Sequence, residues 1–156
     1  MLGDFPIGFT HLSFTLARIT SHRPVGRSMA NGKQIRLLIA DDNAVYRHAL
    51  REILEAHPSL QVVGEATDGE DAILRAEELQ PAIVLMDINM PILNGIAATR
   101  RIKAEHESMT VIGLSVHTDR DYVDAMLDAG AMALLSKEKA TEDLYAVIER
   151  AIGATE

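Results

Sequence analysis

The sequence predicts an α/β domain in which five parallel strands are doubly wound, with helices covering both faces of the sheet. Three observations carry that expectation. From residue 34 onward, short aliphatic runs alternate with longer segments whose apolar residues recur at helical spacing, as chains of βαβ units do. Ile83-Val84-Leu85-Met86 is apolar at consecutive positions and is bounded by Pro81 and Pro91, which suits a short strand covered on both sides. Right-handed crossovers between successive parallel strands then produce three layers.

The elements follow in order. Ile35-Arg36-Leu37-Leu38-Ile39-Ala40 is the first strand. Asn43 is a good N-cap, and the helix behind it is expected to turn Val45, Leu50, Ile53 and Leu54 inward and to stop before Pro58. Leu60 to Ala66 is a second strand, Thr67-Asp68-Gly69 a turn, and a second helix runs to about Gln80 with Ala72, Leu74, Ala76 and Leu79 inward. The Ile83 strand ends in Asp87. Gly95 to about His106 is a third helix carrying Ile96, Thr99 and Ile102, and Thr110 to Ser115 a fourth strand. A fourth helix from Asp119 ends at Ala129, where Gly130 supplies the C-terminal cap. Ala131 to Ser136 is the fifth strand, and Thr141 to about Ile152 the last helix. With five strands, the flavodoxin-like order 2-1-3-4-5 is expected, its switch point between strands 1 and 3.

Composition sets limits on function. Hydrophobic residues make up 47% of the 156 but aromatic ones only 4%, so the core is aliphatic. No cysteine is present, which removes disulfides, thiolate metal sites and cysteine nucleophiles. No apolar run reaches the roughly 20 residues of a membrane-spanning helix, so a soluble, cytoplasmic protein is expected. The net charge of −8 argues against a nucleic-acid surface. That charge is uneven: residues 1–33 hold Arg18, Arg23, Arg27 and Lys33 against Asp4 alone, leaving −11 for the remainder. With Pro6, Pro24 and no clean period, residues 1–33 read as an extension, disordered or upstream of a natural start at Met29, and residues 34–156 as the folded domain. A helix over Phe9–Ile19 is an open alternative.

The chemistry gathers at one sheet edge. In open α/β sheets ligands bind beyond the carboxyl ends of the strands. Strand 1 ends in Asp41-Asp42, strand 3 in Asp87, strand 4 in Ser115 and strand 5 in Lys137, so these side chains emerge together. Carboxylates within about 4 Å repel by roughly 4 kcal/mol per pair at an effective dielectric near 20. A cation relieves this, and an oxygen-rich, partly open site fits Mg²⁺, with Mn²⁺ as the substitute. Waters on such an ion can be exchanged for phosphate oxygens, with Lys137 meeting the remaining charge and Ser115 donating a hydroxyl hydrogen bond.

These residues carry a resemblance. Asp41-Asp42, the Met-Asp-x-x-Met-Pro-x-x-Asn-Gly pattern of Met86–Gly95, Ser115 and Lys137 stand where a response-regulator receiver domain of two-component signalling, in the CheY-like superfamily, has its functional residues. Residues 35–152 are similar to that family, and Ile-Ala-Asp-Asp-Asn at 39–43 with Gly130-Ala131 is most similar to the NarL/LuxR-type subfamily. The resemblance implies that Asp87 accepts a phosphoryl group from a kinase phosphohistidine. It implies that Asp41, Asp42, Asp87 and the backbone carbonyl of Asn89 hold Mg²⁺, and that Ser115 and Lys137 bind the phosphoryl oxygens. The implied partners are a sensor histidine kinase or phosphotransfer protein and a separate or missing output domain, with a homodimer left open and no membrane or nucleic-acid contact. Phosphorylation and dephosphorylation would be self-catalysed, not enzymatic turnover.

Departures from the pattern are Leu134, where the family usually has an aromatic residue, and Glu138, where many members have proline after the lysine. Glu138 makes a trans bond the expectation. A third departure is that no output domain is expected after the last helix, the sequence running to Glu156. Two other functions compete with this one. An unphosphorylated interaction module of the same fold is disfavoured because every acidic and basic position is intact. An Asp-nucleophile phosphatase wants a second acid two residues after its nucleophile, where Asn89 stands. Nucleotide-binding glycine loops are absent. His117, Asn43 and Tyr122 lie near the site but read as structural or surface residues, and Met86, Met126 and Met132 as core or subunit-face residues.

Overall fold

Strand and helix alternate without exception through residues 32–154, the part of the chain that the computed structural model describes. The expectations for the N-terminal extension and a helix over 9–19 lie outside the described residues, apart from its last two positions. The elements are β1 (Ile35–Ala40), α1 (Ala44–Glu55), β2 (Leu60–Ala66), α2 (Gly69–Leu79), β3 (Ile83–Asp87), α3 (Gly95–Glu105), β4 (Thr110–Ser115), α4 (Arg120–Asp128), β5 (Ala133–Ser136) and α5 (Ala140–Gly153). All strand pairs are parallel and the order is β2-β1-β3-β4-β5. This is the expected flavodoxin-like architecture.

Two cores follow from the strand period of two. On β1, Leu37 and Ile39 join a cluster with Leu50 and Leu54 of α1 and Leu144, Val147 and Ile148 of α5. Leu38 and Ala40 face the other way, onto Ala72 and Ala76 of α2, Ala98 and Ile102 of α3 and Met126 of α4. β3 is buried along its whole length, which is why its sequence is a continuous apolar run.

Helix starts are written in side chains. Asn43, Asp68 and Asn94 each accept a hydrogen bond from the backbone N–H three residues on, at 3.1, 2.8 and 2.9 Å. Such caps contribute about 1 kcal/mol each. α4 closes in a Schellman turn: Ala131 N–H donates to Met126 C=O at 3.0 Å and Gly130 N–H to Leu127 C=O at 2.9 Å. Gly130 sits at φ +104°, a conformation an L side chain resists.

Some boundaries and faces differ from expectation. β5 begins at Ala133, not Ala131, because Ala131 is spent on that helix stop and Met132 N–H bonds Val111 C=O beside the strand. Val45 is 80% exposed and Leu74 59% exposed, although both were expected inward. In α1 the inner stripe is Tyr46, Leu50 and Leu54, spaced by four; in α2 it is Ala72, Ile73 and Ala76. Each outward residue lies next to a true stripe position, and apolar content alone could not set the helix phase. Met86 and Met126 are core residues, whereas Met132 stays 36% exposed.

Candidate functional site

Register brings the candidate residues to one edge. Ala40 of β1 pairs with Met86 of β3, so the next residues, Asp41 and Asp87, leave the sheet side by side across the switch point. Asp87 pairs with Leu114, which puts Ser115 one step beyond on β4; Ser115 pairs with Ser136, which puts Lys137 just past β5. Gly95 closes this edge from below. A Cβ there would collide with the Asp87 carbonyl oxygen, so α3 can start this close only with glycine.

The carboxylate oxygens of Asp41, Asp42 and Asp87 lie within 4.8 Å of one another. Asp41 and Asp87 are buried, whereas Asp42 is exposed. Lys137 Nζ bridges the two buried acids, 2.6 Å from Asp41 Oδ2 and 3.2 Å from Asp87 Oδ1. Asp41 Oδ1 accepts from the Asn43 N–H at 2.8 Å. Its Oδ2 meets the ammonium as an ion pair but without hydrogen-bond alignment, leaving a buried oxygen short of a well-placed partner.

Three acids and one lysine leave the cluster net negative. Burial and the neighbouring Asp41 push the Asp87 carboxyl up from 3.8 to about 6, against the pull of Lys137 and the Asn89 backbone N–H. Burial works against the charge of Lys137, but Asp41 and Asp87 more than offset it, so the ammonium is held above its ordinary range. An all-oxygen donor set with one member open to water and an under-satisfied buried oxygen fits a hard divalent cation such as Mg²⁺.

Ser115 is fully buried at the end of β4. Its backbone carbonyl accepts from the Lys137 N–H at 2.9 Å, tying the two strand ends together. Its Oγ accepts from the His117 N–H at 3.0 Å, so the hydroxyl is engaged with the following loop. Asn89 is exposed in the loop after β3. Asp41, Asp42 and Asp87 are thus gathered at one point, with Lys137 paired to Asp41 and Asp87 and with Ser115 and Asn89 next to them at the strand ends.

The chain matches the family described as the response regulator receiver domain over residues 37–149. It belongs to the response-regulator receiver family. It is 36% identical over 119 residues to the transcriptional regulatory protein DegU of Brevibacillus brevis, covering 76% of this chain and 50% of that protein. The chain thus spans about half the length of that relative. The signal receiver domain of a putative response regulator NarL from Mycobacterium tuberculosis superposes with a TM-score of 0.73 at 28% identity, covering 78% of this chain and 98% of that one. A CheX-CheY-BeF3-Mg²⁺ complex from Borrelia burgdorferi superposes with a TM-score of 0.68 at 25% identity, covering 75% and 91%. Among the described residues no helix is long and apolar enough to cross a membrane.

Within this receiver, the family's strand-5 aromatic position is filled by Leu134, half-buried against the α2–α3–α4 core. No peptide bond among the described residues is cis, the bond between Lys137 and Glu138 included. Two residues at the site were not singled out from sequence. Tyr46 lies under Lys137, with Nζ 4.7 Å from the ring centroid, and its hydroxyl reaches the Lys137 carbonyl oxygen at 3.4 Å. Burial, then Asp41 and Asp87, push its phenol up to about 12, so it stays neutral. Arg47 donates from Nη1 to the Asp41 carbonyl oxygen at 2.7 Å and from Nε to Glu65 on β2 at 3.2 Å. The signal that could have found Tyr46 is its place four residues before Leu50 and eight before Leu54. A separate surface cavity of about 360 Å³ lies where β4 begins, away from these acids, and its Lys103 is committed to the carbonyls of Glu107 and Met109.

Proposed function

We propose that this receiver is a phosphorylation-activated switch in which Asp87 accepts a phosphoryl group from the phosphohistidine of a sensor histidine kinase or phosphotransfer protein. The observation that carries the proposal is Lys137 bridging Asp41 and Asp87 inside the three-carboxylate cluster. In the transfer, an Asp87 carboxylate oxygen bonds to phosphorus while the phosphorus–nitrogen bond breaks and its electron pair returns to the imidazole. An acyl phosphate forms, and water later hydrolyses it. Lys137 shifts its ion pairing from the carboxylates to the phosphoryl oxygens, and the Ser115 hydroxyl donates to another. Mg²⁺, held by Asp41, Asp42, Asp87 and the Asn89 carbonyl, would neutralise the gathered negative charge. The relative crystallised with BeF3 and Mg²⁺ supports the assignment of both groups to this fold. A separate output protein or an appended output domain would read the switch, in the cytoplasm where such kinases present their phosphohistidine.

The route outward follows from Ser115. The Ser115 hydroxyl can donate to a phosphoryl oxygen while its lone pair keeps the His117 N–H, so a shift of the hydroxyl toward that oxygen carries the bond with it. The His117 ring stacks on Tyr122 at 6.1 Å with planes 20° apart, and Tyr122 is on α4. A displaced Ser115 hydroxyl would therefore pull on the loop before α4. The test is mass spectrometry after incubation with acetyl phosphate and Mg²⁺. One acid-stable, hydroxylamine-labile phosphoryl group is expected on wild type and none on Asp87→Asn or with EDTA. A labelled Asp87→Asn would show that the acceptor lies elsewhere.

A further inference from the structure

We infer that Tyr46 is a positioning residue for Lys137, its ring face holding the ammonium over the acceptor site when the carboxylates are otherwise engaged. The inference rests on the proposal that Asp87 accepts the phosphoryl group. Lys137 Nζ is held by Asp41 Oδ2 and Asp87 Oδ1, on the same two carboxylates that a divalent cation and a phosphoryl group would engage. A lysine that loses those partners carries a strongly hydrated charge on a flexible four-carbon stem, and swings toward water unless something else retains it. Until a phosphoryl oxygen takes the ammonium, the Tyr46 ring is the contact left to it among the described residues, 4.7 Å from Nζ and uncharged. It is anchored at both ends. Its backbone N–H is capped by Asn43 at the start of α1, and its hydroxyl meets the Lys137 carbonyl oxygen at 3.4 Å. Its body packs against the core between α1 and α5, so the ring cannot follow the lysine outward. The Lys137 side chain is only 13% exposed, and a cation over an aromatic face gains most when desolvated.

The contribution belongs to the ring face and not to the hydroxyl, which separates two substitutions. In the full chain, Tyr46→Phe keeps the ring and Tyr46→Leu keeps only the bulk. Two readouts apply: the upfield ring-current shift of the Lys137 ε-methylene by NMR, in EDTA and in Mg²⁺, and the affinity for beryllofluoride in Mg²⁺. Tyr46→Phe should keep the shift and bind beryllofluoride within about twofold of wild type, whereas Tyr46→Leu should lose the shift and weaken binding by roughly three- to tenfold. Affinity for Mg²⁺ alone should be nearly the same in all three. Wild-type beryllofluoride affinity in Tyr46→Leu would overturn the inference while leaving the acceptor assignment standing. So would equal damage in Tyr46→Phe, which would place the effect in the hydroxyl, or an equal loss of Mg²⁺ affinity, which would place it in the carboxylates. Failure of wild type to bind beryllofluoride at all would overturn the acceptor assignment and this inference together, whatever the ring-current shift.

Discussion

Replacing Asp87 by asparagine should make the metal-free protein more stable, even though it removes the residue on which the proposed function depends. Asp87 is 3% exposed, and its carboxyl is pushed from 3.8 to about 6 by burial first and by Asp41 second. An acid raised that far costs the fold about 3 kcal/mol once ionised. The sign is that of a raised acid: the native state binds the proton more tightly than the unfolded chain. The group therefore costs nothing below about pH 4, costs progressively more up to about 6, and a constant amount above. Asparagine removes the charge, keeps the shape, and leaves Lys137 paired one to one with Asp41 at 2.6 Å. Its amide hydrogens, imperfectly met in the buried site, give back about 1 kcal/mol. A net gain of about 2 kcal/mol is expected near neutral pH in EDTA, raising the melting temperature by roughly 6–12 °C. Urea unfolding followed by far-ultraviolet circular dichroism is the assay, since the chain has no tryptophan. Saturating Mg²⁺ should close or invert the gap, because a ligand at about 100 times its Kd stabilises the wild type by about 2.7 kcal/mol. Asp87→Asn no more stable than wild type in EDTA, or a gap unchanged between about pH 4 and 7, would refute the electrostatic reasoning.

Three further outcomes are expected. Lys137→Ala leaves two buried carboxylates unpaired and should cost about 3 kcal/mol in EDTA, yet bind Mg²⁺ as tightly as wild type or tighter; calorimetry showing weaker binding would mean the lysine supports the metal site. Ile92 is exposed and sits at φ +69°, where a β-branched side chain is strained, so Ile92→Gly or Ile92→Asn should raise stability by about 1 kcal/mol in urea titrations. Glu65 is held below its ordinary 4.5 by hydrogen bonds from Arg51 and then Arg47, so it stabilises above that value and the benefit disappears as pH falls through its lowered value. Glu65→Gln should therefore cost on the order of 1 kcal/mol near neutral pH and nothing at the acid end, the opposite trend to Asp87.

Much of the switch point was legible in the chain itself. The continuous apolar run before Asp87, acids directly after the first and third strands and a lysine after the fifth required only strand alternation and crossover handedness to converge. Those rules depend on local sterics, which residue types express directly. The helix caps Asn43, Asp68 and Asn94 act within three residues, and Asn43 was legible as a cap for the same reason, whereas Asp68 read only as a turn residue. Helix phase was not legible from apolar content alone. Val45 and Tyr46 are neighbours of similar apolar character, and only packing of α1 against β1 and α5 turned the tyrosine inward and left the valine 80% exposed. The consequence is chemical, since that rotation places an aromatic face beneath Lys137. The start of β5 likewise depended on Ala131 closing α4, a bond to Met126 that a period-two pattern does not contain. The sequence by itself thus determined the fold, the sheet edge and the acids, because each follows from local conformational preference and order along the chain. Tertiary structure alone decided which carboxylate oxygens Lys137 bridges and which ring lies beneath the ammonium, because those are distances between residues far apart in the chain, set by how the two cores fill.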